Sequence, residues 1–163
     1  RSTRPPCGGI PMNITGISIW HVDLTSHKTY YMSDGKTCDT VESVVVRLDT
    51  DVGLAGWGEH CVIPHYLPSF SRGIAPAITE MAPEILGHNP MGAPAFMHRL
   101  DKWLIGHDAA KSAVDMALWD INAKVAGQPL YNLLGGKFAD AIPTYHSITC
   151  IEPEEMVEIA KEA

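Results

Sequence analysis

The eight histidines and four cysteines are the residues from which a metal centre or a thiol site would be built. Their spacing builds neither. His60 and His65 lie five apart on a loop that contains Pro64, which is not the spacing of a zinc site. Cys7, Cys38, Cys61 and Cys150 are scattered and form no CxxC pair, so reduced thiols are the better reading than a disulfide framework. "GGK" at 135–137 is not a phosphate-cradling loop, because Tyr131 stands where its first glycine would be and Phe138 follows the lysine. No GxSxG nucleophile turn occurs. Asp115, Asp120 and Lys124 share one well-marked helix, and Asp120 and Lys124 are four apart, the spacing of a stabilising surface or interdomain pair.

With no such motif in one stretch, any chemistry must be assembled by the elements. "NITGISIWHVDL", 13–24, alternates, with Ile17, Ile19 and His21 on one side and Ser18, Trp20 and Val22 on the other, and so predicts a strand. Residues 25–39 are polar, carry Asp-Gly and predict a loop long enough to suggest function. "TVESVVVRLDTDVGLAGWGEHC", 40–61, predicts a hairpin turning at Gly53. Gly56 and Gly58 bracket Trp57, which suggests a close backbone approach or bulges. A second loop at 62–72 holds two prolines, a histidine and two aromatics.

Helices are predicted over 73–86, stopped by Gly87, and over 91–104. A third starts after Asp108 as N-cap, presents Ala110, Val114, Ala117, Leu118, Ile121 and Val125 on one face, and ends at Gly127 before Pro129. "AIPTYHSITC", 141–150, predicts a strand, and "EPEEMVEIAKEA" a helix with acidic residues at its positive end. The order gives an α+β unit, an antiparallel three-stranded meander covered by helices, followed by one β/α step.

The charge of −7, with no cluster of Lys and Arg, argues against a nucleic-acid surface. No apolar run approaches the roughly 20 residues that span a bilayer, and residues 1–11 lack the apolar core of a signal peptide. They read as a disordered leader or expression remnant, with Met12 as a natural start and a cytoplasmic location expected.

"KSAVDMALWDINAKVAGQPLYNLLGG", 111–136, resembles the signature of the mandelate racemase and muconate lactonising group of the enolase superfamily, and "GLAGWGE", 53–59, resembles the end of that family's hairpin. The ordered set continues with "GxPLYxLLGG" and "YHS" and covers residues 12–163. The resemblance implies an enolase-like N-terminal capping domain over 12–140, and over 141–163 the first strand and helix of a TIM barrel whose remainder is absent. It implies an enzyme that removes the proton next to a carboxylate, with the enediolate stabilised by Mg²⁺. The metal ligands and catalytic bases are expected beyond residue 163, so this segment alone is expected to be inactive, to need the remainder of its barrel, and to belong to a homo-oligomer.

In such proteins two cap loops close over the barrel and select the substrate. By pattern they are 25–39 and 59–68, with Tyr30, Tyr31, His60 and Tyr66 as candidate contacts. "GWGEHCVIPHYLPS" is similar to the loop of members that act on hydroxyprolines and proline betaines, where a tyrosine in the place of Tyr66 meets the ring or its ammonium. Ser147 resembles a position near the substrate carboxylate, with His146 pointing away. Packing within the loop for Tyr30 and Tyr31, hydrogen bonding within the lid for His60, and barrel filling for Ser147 are the alternatives. The resemblance points first to a cis-3-hydroxy-L-proline dehydratase. The alternatives are a 4-hydroxyproline betaine or proline betaine 2-epimerase, an acid-sugar dehydratase, and a non-catalytic capping module.

Overall fold

The computed structural model describes residues 11–162. The proposed leader, apart from Pro11, and Cys7 with it, lies outside the described residues, while Met12 is buried. Three antiparallel strands in the order β1-β2-β3 form one sheet: β1 (Ile14–Tyr31), β2 (Thr37–Thr50) and β3 (Ala55–Val62). Five helices follow: α1 (Ser71–Ile85), α2 (Ala93–Trp103), α3 (Asp108–Ala126), the single turn α4 (Leu130–Leu133) and α5 (Pro153–Glu162).

The alternation in β1 sets the layers. Ile17 pairs with Leu48 and Ile19 with Val46, and these face the helices, where Val44, Val46 and Leu48 are buried. The opposite face is open and carries Trp20 stacked on Trp57, with ring centroids 5.6 Å apart. The core fills the space between sheet and helices with Ile74, Ile78 and Met81 from α1, Phe96 and Leu100 from α2, and Val114, Leu118 and Ile121 from α3.

α3 lies directly on β3. Its small face exposes backbone, and the two glycines flanking Trp57 meet it there. A Cβ on Gly58 would stand 1.9 Å from the Ala113 carbonyl oxygen, and one on Gly56 2.1 Å from that of Ala117. Only hydrogen in place of a side chain permits that approach, which is why "GWG" and an alanine-rich helix occur together. The outer edge of β3, otherwise a row of open hydrogen-bonding groups, is closed by the same helix. The Trp57 N–H donates to Asp120 Oδ2 at 2.9 Å, and Lys124 Nζ donates to the Ala55 carbonyl at 2.7 Å. The Asp120–Lys124 ion pair, 2.7 Å, holds both in place. The pair therefore serves the strand edge within the domain.

Four expectations change. The segment 25–39 is mostly strand: β1 runs to Tyr31, β2 starts at Thr37, and a short turn at Ser33–Gly35 joins them. Cross-strand pairing overrides the polarity of these residues, and a register shift between Thr25 and Tyr30 absorbs the surplus chain. α1 begins at Ser71 rather than at 73, which leaves Pro76 two residues further inside. The residue flanking α3 is His107, in the left-handed region at φ 58°, and Asp108 is the first helical residue with no side-chain cap. Asp108 still favours the positive helix end by charge. Residues 141–150 form no regular strand, for want of a neighbouring strand to pair with, and hydrogen bonds to the Tyr31 backbone and to the Tyr30 hydroxyl tie them to the sheet. Helix α5 follows as expected.

Candidate functional site

Three segments far apart in sequence meet at one end of the sheet: the tip of the β1–β2 hairpin, the loop after β3, and residues 145–150. Between them is a cavity of about 600 Å³, a size suited to a small molecule. Tyr30, Tyr31, Tyr66 and Ser147 all line it, so four of the five candidate contacts come together. Tyr30 reaches across the mouth, its hydroxyl 2.5 Å from Ser147 Oγ. Tyr66 is 78% exposed, which leaves its ring face free for a ligand.

His60 does not join them. It pairs with Val44, whose side chain faces the helices, so strand alternation turns His60 to that side of the sheet. It lines a separate cavity of about 670 Å³ with Phe70, His107 and Ser112. That space lies between the loop 67–70 and the start of α3.

The tyrosine cavity also contains residues that spacing did not single out. Lys36 brings an ammonium, held 3.8 Å from Asp34 at the surface. Tyr145 and His65 add a phenol and an imidazole. Tyr145 had a signal: it lies two residues before Ser147 and so shares its side of an extended segment, whereas His146 is absent from the lining. Lys36 had none, because nothing in a polar turn marks one lysine as facing a cavity. The lining thus holds four phenols, one ammonium, an imidazole, two serine hydroxyls and two thiols, and no carboxylate. Such a set can orient an anionic or zwitterionic molecule by hydrogen bonds and charge, and an aromatic face can meet a cation.

Among the described residues no group of three or more His, Cys, Asp or Glu side chains is disposed to hold a metal ion. One carboxyl group has a shifted acidity: partial burial raises the pKa of Asp115 above its ordinary 3.8. Asp115 is on α3, away from the tyrosine cavity's lining. No helix among the described residues is long and apolar enough to cross a membrane.

A three-stranded meander capped by helices, with a small-molecule cavity at the hairpin tip, defines a capping domain of the enolase type. Residues 14–135 match the mandelate racemase / muconate lactonizing enzyme N-terminal domain, and the chain belongs to that family. It is 38% identical over 149 residues to the cis-3-hydroxy-L-proline dehydratase of Roseibium aggregatum, covering 90% of this chain and 41% of that protein. It is 31% identical over 150 residues to the N-succinyl-L-Arg/Lys racemase of Bacillus cereus, covering 91% of this chain and 40% of that one. A solved enolase-superfamily member from Roseovarius nubinhibens ISM, complexed with magnesium, superposes with a TM-score of 0.83 at 38% identity, over 93% of this chain and 41% of that structure. The chain therefore spans about two fifths of the length of the relatives it matches.

Proposed function

We propose that this chain is the substrate-selecting cap of an enzyme that removes the proton next to a carboxylate, and that the enzyme is a cis-3-hydroxy-L-proline dehydratase. The observation that carries the reading is the single cavity shared by Tyr30, Tyr66 and Ser147. Hydroxyproline is a zwitterion. The ring face of Tyr66 suits its secondary ammonium, and the hydroxyls of Tyr30 and Ser147 suit its oxygens. The dehydratase relative at 38% identity supports the same substrate.

The role derived for these residues is to bind, to orient and to exclude water. A proton next to a carboxylate is weakly acidic, and water in the site would compete for every charge–dipole interaction that favours its removal. The bases and Mg²⁺ are assigned to other polypeptide of the same enzyme, in keeping with the magnesium-complexed relative. We assign the enzyme to the cytoplasm and to a homo-oligomer on the family resemblance.

A 2-epimerase acting on proline betaine or a hydroxyproline betaine is the second reading. The exposed Tyr66 face favours it, because a quaternary ammonium has no N–H to donate and depends on such a surface. The full-length enzyme with Mg²⁺ is to be mixed with cis-3-hydroxy-L-proline and, separately, with the betaines in D₂O. Loss of water from the hydroxyproline is the expected result. Deuterium at the α-carbon of a betaine with inversion and no loss of water supports the epimerase. No reaction with any of them removes both readings.

A further inference from the structure

The hairpin tip that carries Tyr30 is weakly tied to its own sheet. Beyond the register shift after Thr25, β1 and β2 resume with two residue pairs, Tyr30–Cys38 and Tyr31–Thr37. The turn that follows contains Asp34 in the left-handed region at φ 63°. Two pairs and a turn are a marginal anchor for an exposed hairpin end. The tip is held instead by a segment nearly 120 residues away.

Three hydrogen bonds converge there on the backbone of Tyr31. Its N–H donates to Thr149 Oγ1 at 2.5 Å. The same hydroxyl donates to the Tyr31 carbonyl at 3.1 Å, and the Cys150 N–H donates to that carbonyl at 2.9 Å. One threonine thus satisfies both main-chain groups of one residue. Thr149 is half-buried, while residues 141–147 are exposed along their whole length.

We infer that Thr149 is a positioning residue, the latch that fixes the hairpin tip against the 145–150 segment and so sets Tyr30 across the cavity from Ser147. The alternative anchor, the Tyr30–Ser147 contact, uses the side chains that face the ligand. A ligand that engages them would take that contact away, and the Thr149 latch would remain. The cavity can then open its polar groups to substrate without losing its wall. Valine matches threonine in shape and lacks the hydroxyl, so Thr149→Val deletes two of the three bonds. Thr149→Ser keeps the hydroxyl and restores them.

The enzymatic arm of the test rests on the function proposed above; the exchange arm does not. In the full-length enzyme, T149V is expected to speed hydrogen exchange at the Tyr31 amide by about tenfold, the order of one to two net hydrogen bonds. Amides of α3 serve as the control and are expected to be unchanged, and T149S is expected to return Tyr31 to its original rate. KM for the substrate that the enzyme turns over is expected to rise several-fold in T149V and to recover in T149S, with kcat changed less. Unchanged exchange at Tyr31 overturns the latch, and so does equal acceleration of Tyr31 and the α3 amides. Faster exchange at Tyr31 with an unchanged KM overturns its role in the site. A wild-type enzyme inert toward hydroxyprolines and betaines defeats the proposed function and leaves the exchange result standing on its own.

Discussion

The seam between α3 and β3 and the cavity at the hairpin tip sit at opposite extremes of one small domain. At the seam, backbone packs on backbone: two glycines admit a helix closer than any side chain would allow, and Asp120 and Lys124 close the strand edge. At the tip, exposed tyrosines, a lysine and a serine surround open space, and hydroxyl hydrogen bonds do the fastening. The difference teaches where each kind of constraint is used. Close-packed contacts have one solution and resist change. A surface that must receive a ligand keeps its polar groups accessible, and its stability is low by necessity. Substitutions at the seam should therefore cost stability, and substitutions at the tip should cost binding.

The largest effect is expected at the seam. Gly58→Ala places a methyl group inside the van der Waals radius of the Ala113 carbonyl, where neither backbone can yield cheaply. A loss of about 3 kcal/mol or more is expected, the upper range for overpacking, measured by urea unfolding of the full-length protein. A tolerated alanine would show that the helix rides higher on the strand than described. Asp120→Ala comes next. It removes the acceptor of the Trp57 amide and the partner of Lys124 together. A loss of about 1.5 to 3 kcal/mol is expected for a hydrogen bond to a charged group, with activity at saturating substrate unchanged.

Tyr66→Ala tests the other region. The unfolding midpoint should stay within error, because the side chain is mostly exposed. KM for a cationic substrate should rise by about 2- to 30-fold, the equivalent of 0.5 to 2 kcal/mol for a cation over an aromatic face. A fall in stability with an unchanged KM would reverse the contrast between the regions. The smallest effect is expected at Asp115. Its carboxyl has a folded pKa raised by burial, so the folded state holds the proton more tightly than the unfolded one. The group then costs no stability below its unfolded pKa, and the cost develops as pH rises through the window above about 3.8. Asp115→Asn should raise the urea midpoint at pH 7 more than at pH 4. An equal change at both would place the effect outside titration.

Much of the seam was legible from local pattern. The small residues of α3, the glycines around Trp57 and the stop at Gly127 each obey a rule that operates within a few residues, and the structure has Gly127 at φ 61° as such a stop requires. Two local features were not legible. Thr25, Tyr30 and Tyr31 join the sheet because β2 offers them partners, and the bulge between Thr25 and Tyr30 has no glycine or proline to announce it. His107 takes the turn into α3 although Asp108 carries the better capping chemistry, and its carbonyl accepts the Ala110 and Lys111 N–H groups. The cavity was legible by family resemblance alone. Tyr30, Tyr66 and Ser147 lie in segments separated by dozens of residues, and no periodicity links them. Thr149 escaped notice for the same reason, since its partner is 118 residues away. His60 shows the limit of reading a loop by proximity in sequence, for one step of strand alternation sends it to the other side of the sheet.

The most direct measurement is a crystal structure of the full-length enzyme with cis-3-hydroxy-L-proline, or an unreactive analogue of it, bound. The account predicts the ring against the face of Tyr66, with an oxygen of the ligand in hydrogen-bond reach of Ser147 or Tyr30. A ligand seated clear of all three, or lodged in the cavity beside His60, would contradict it.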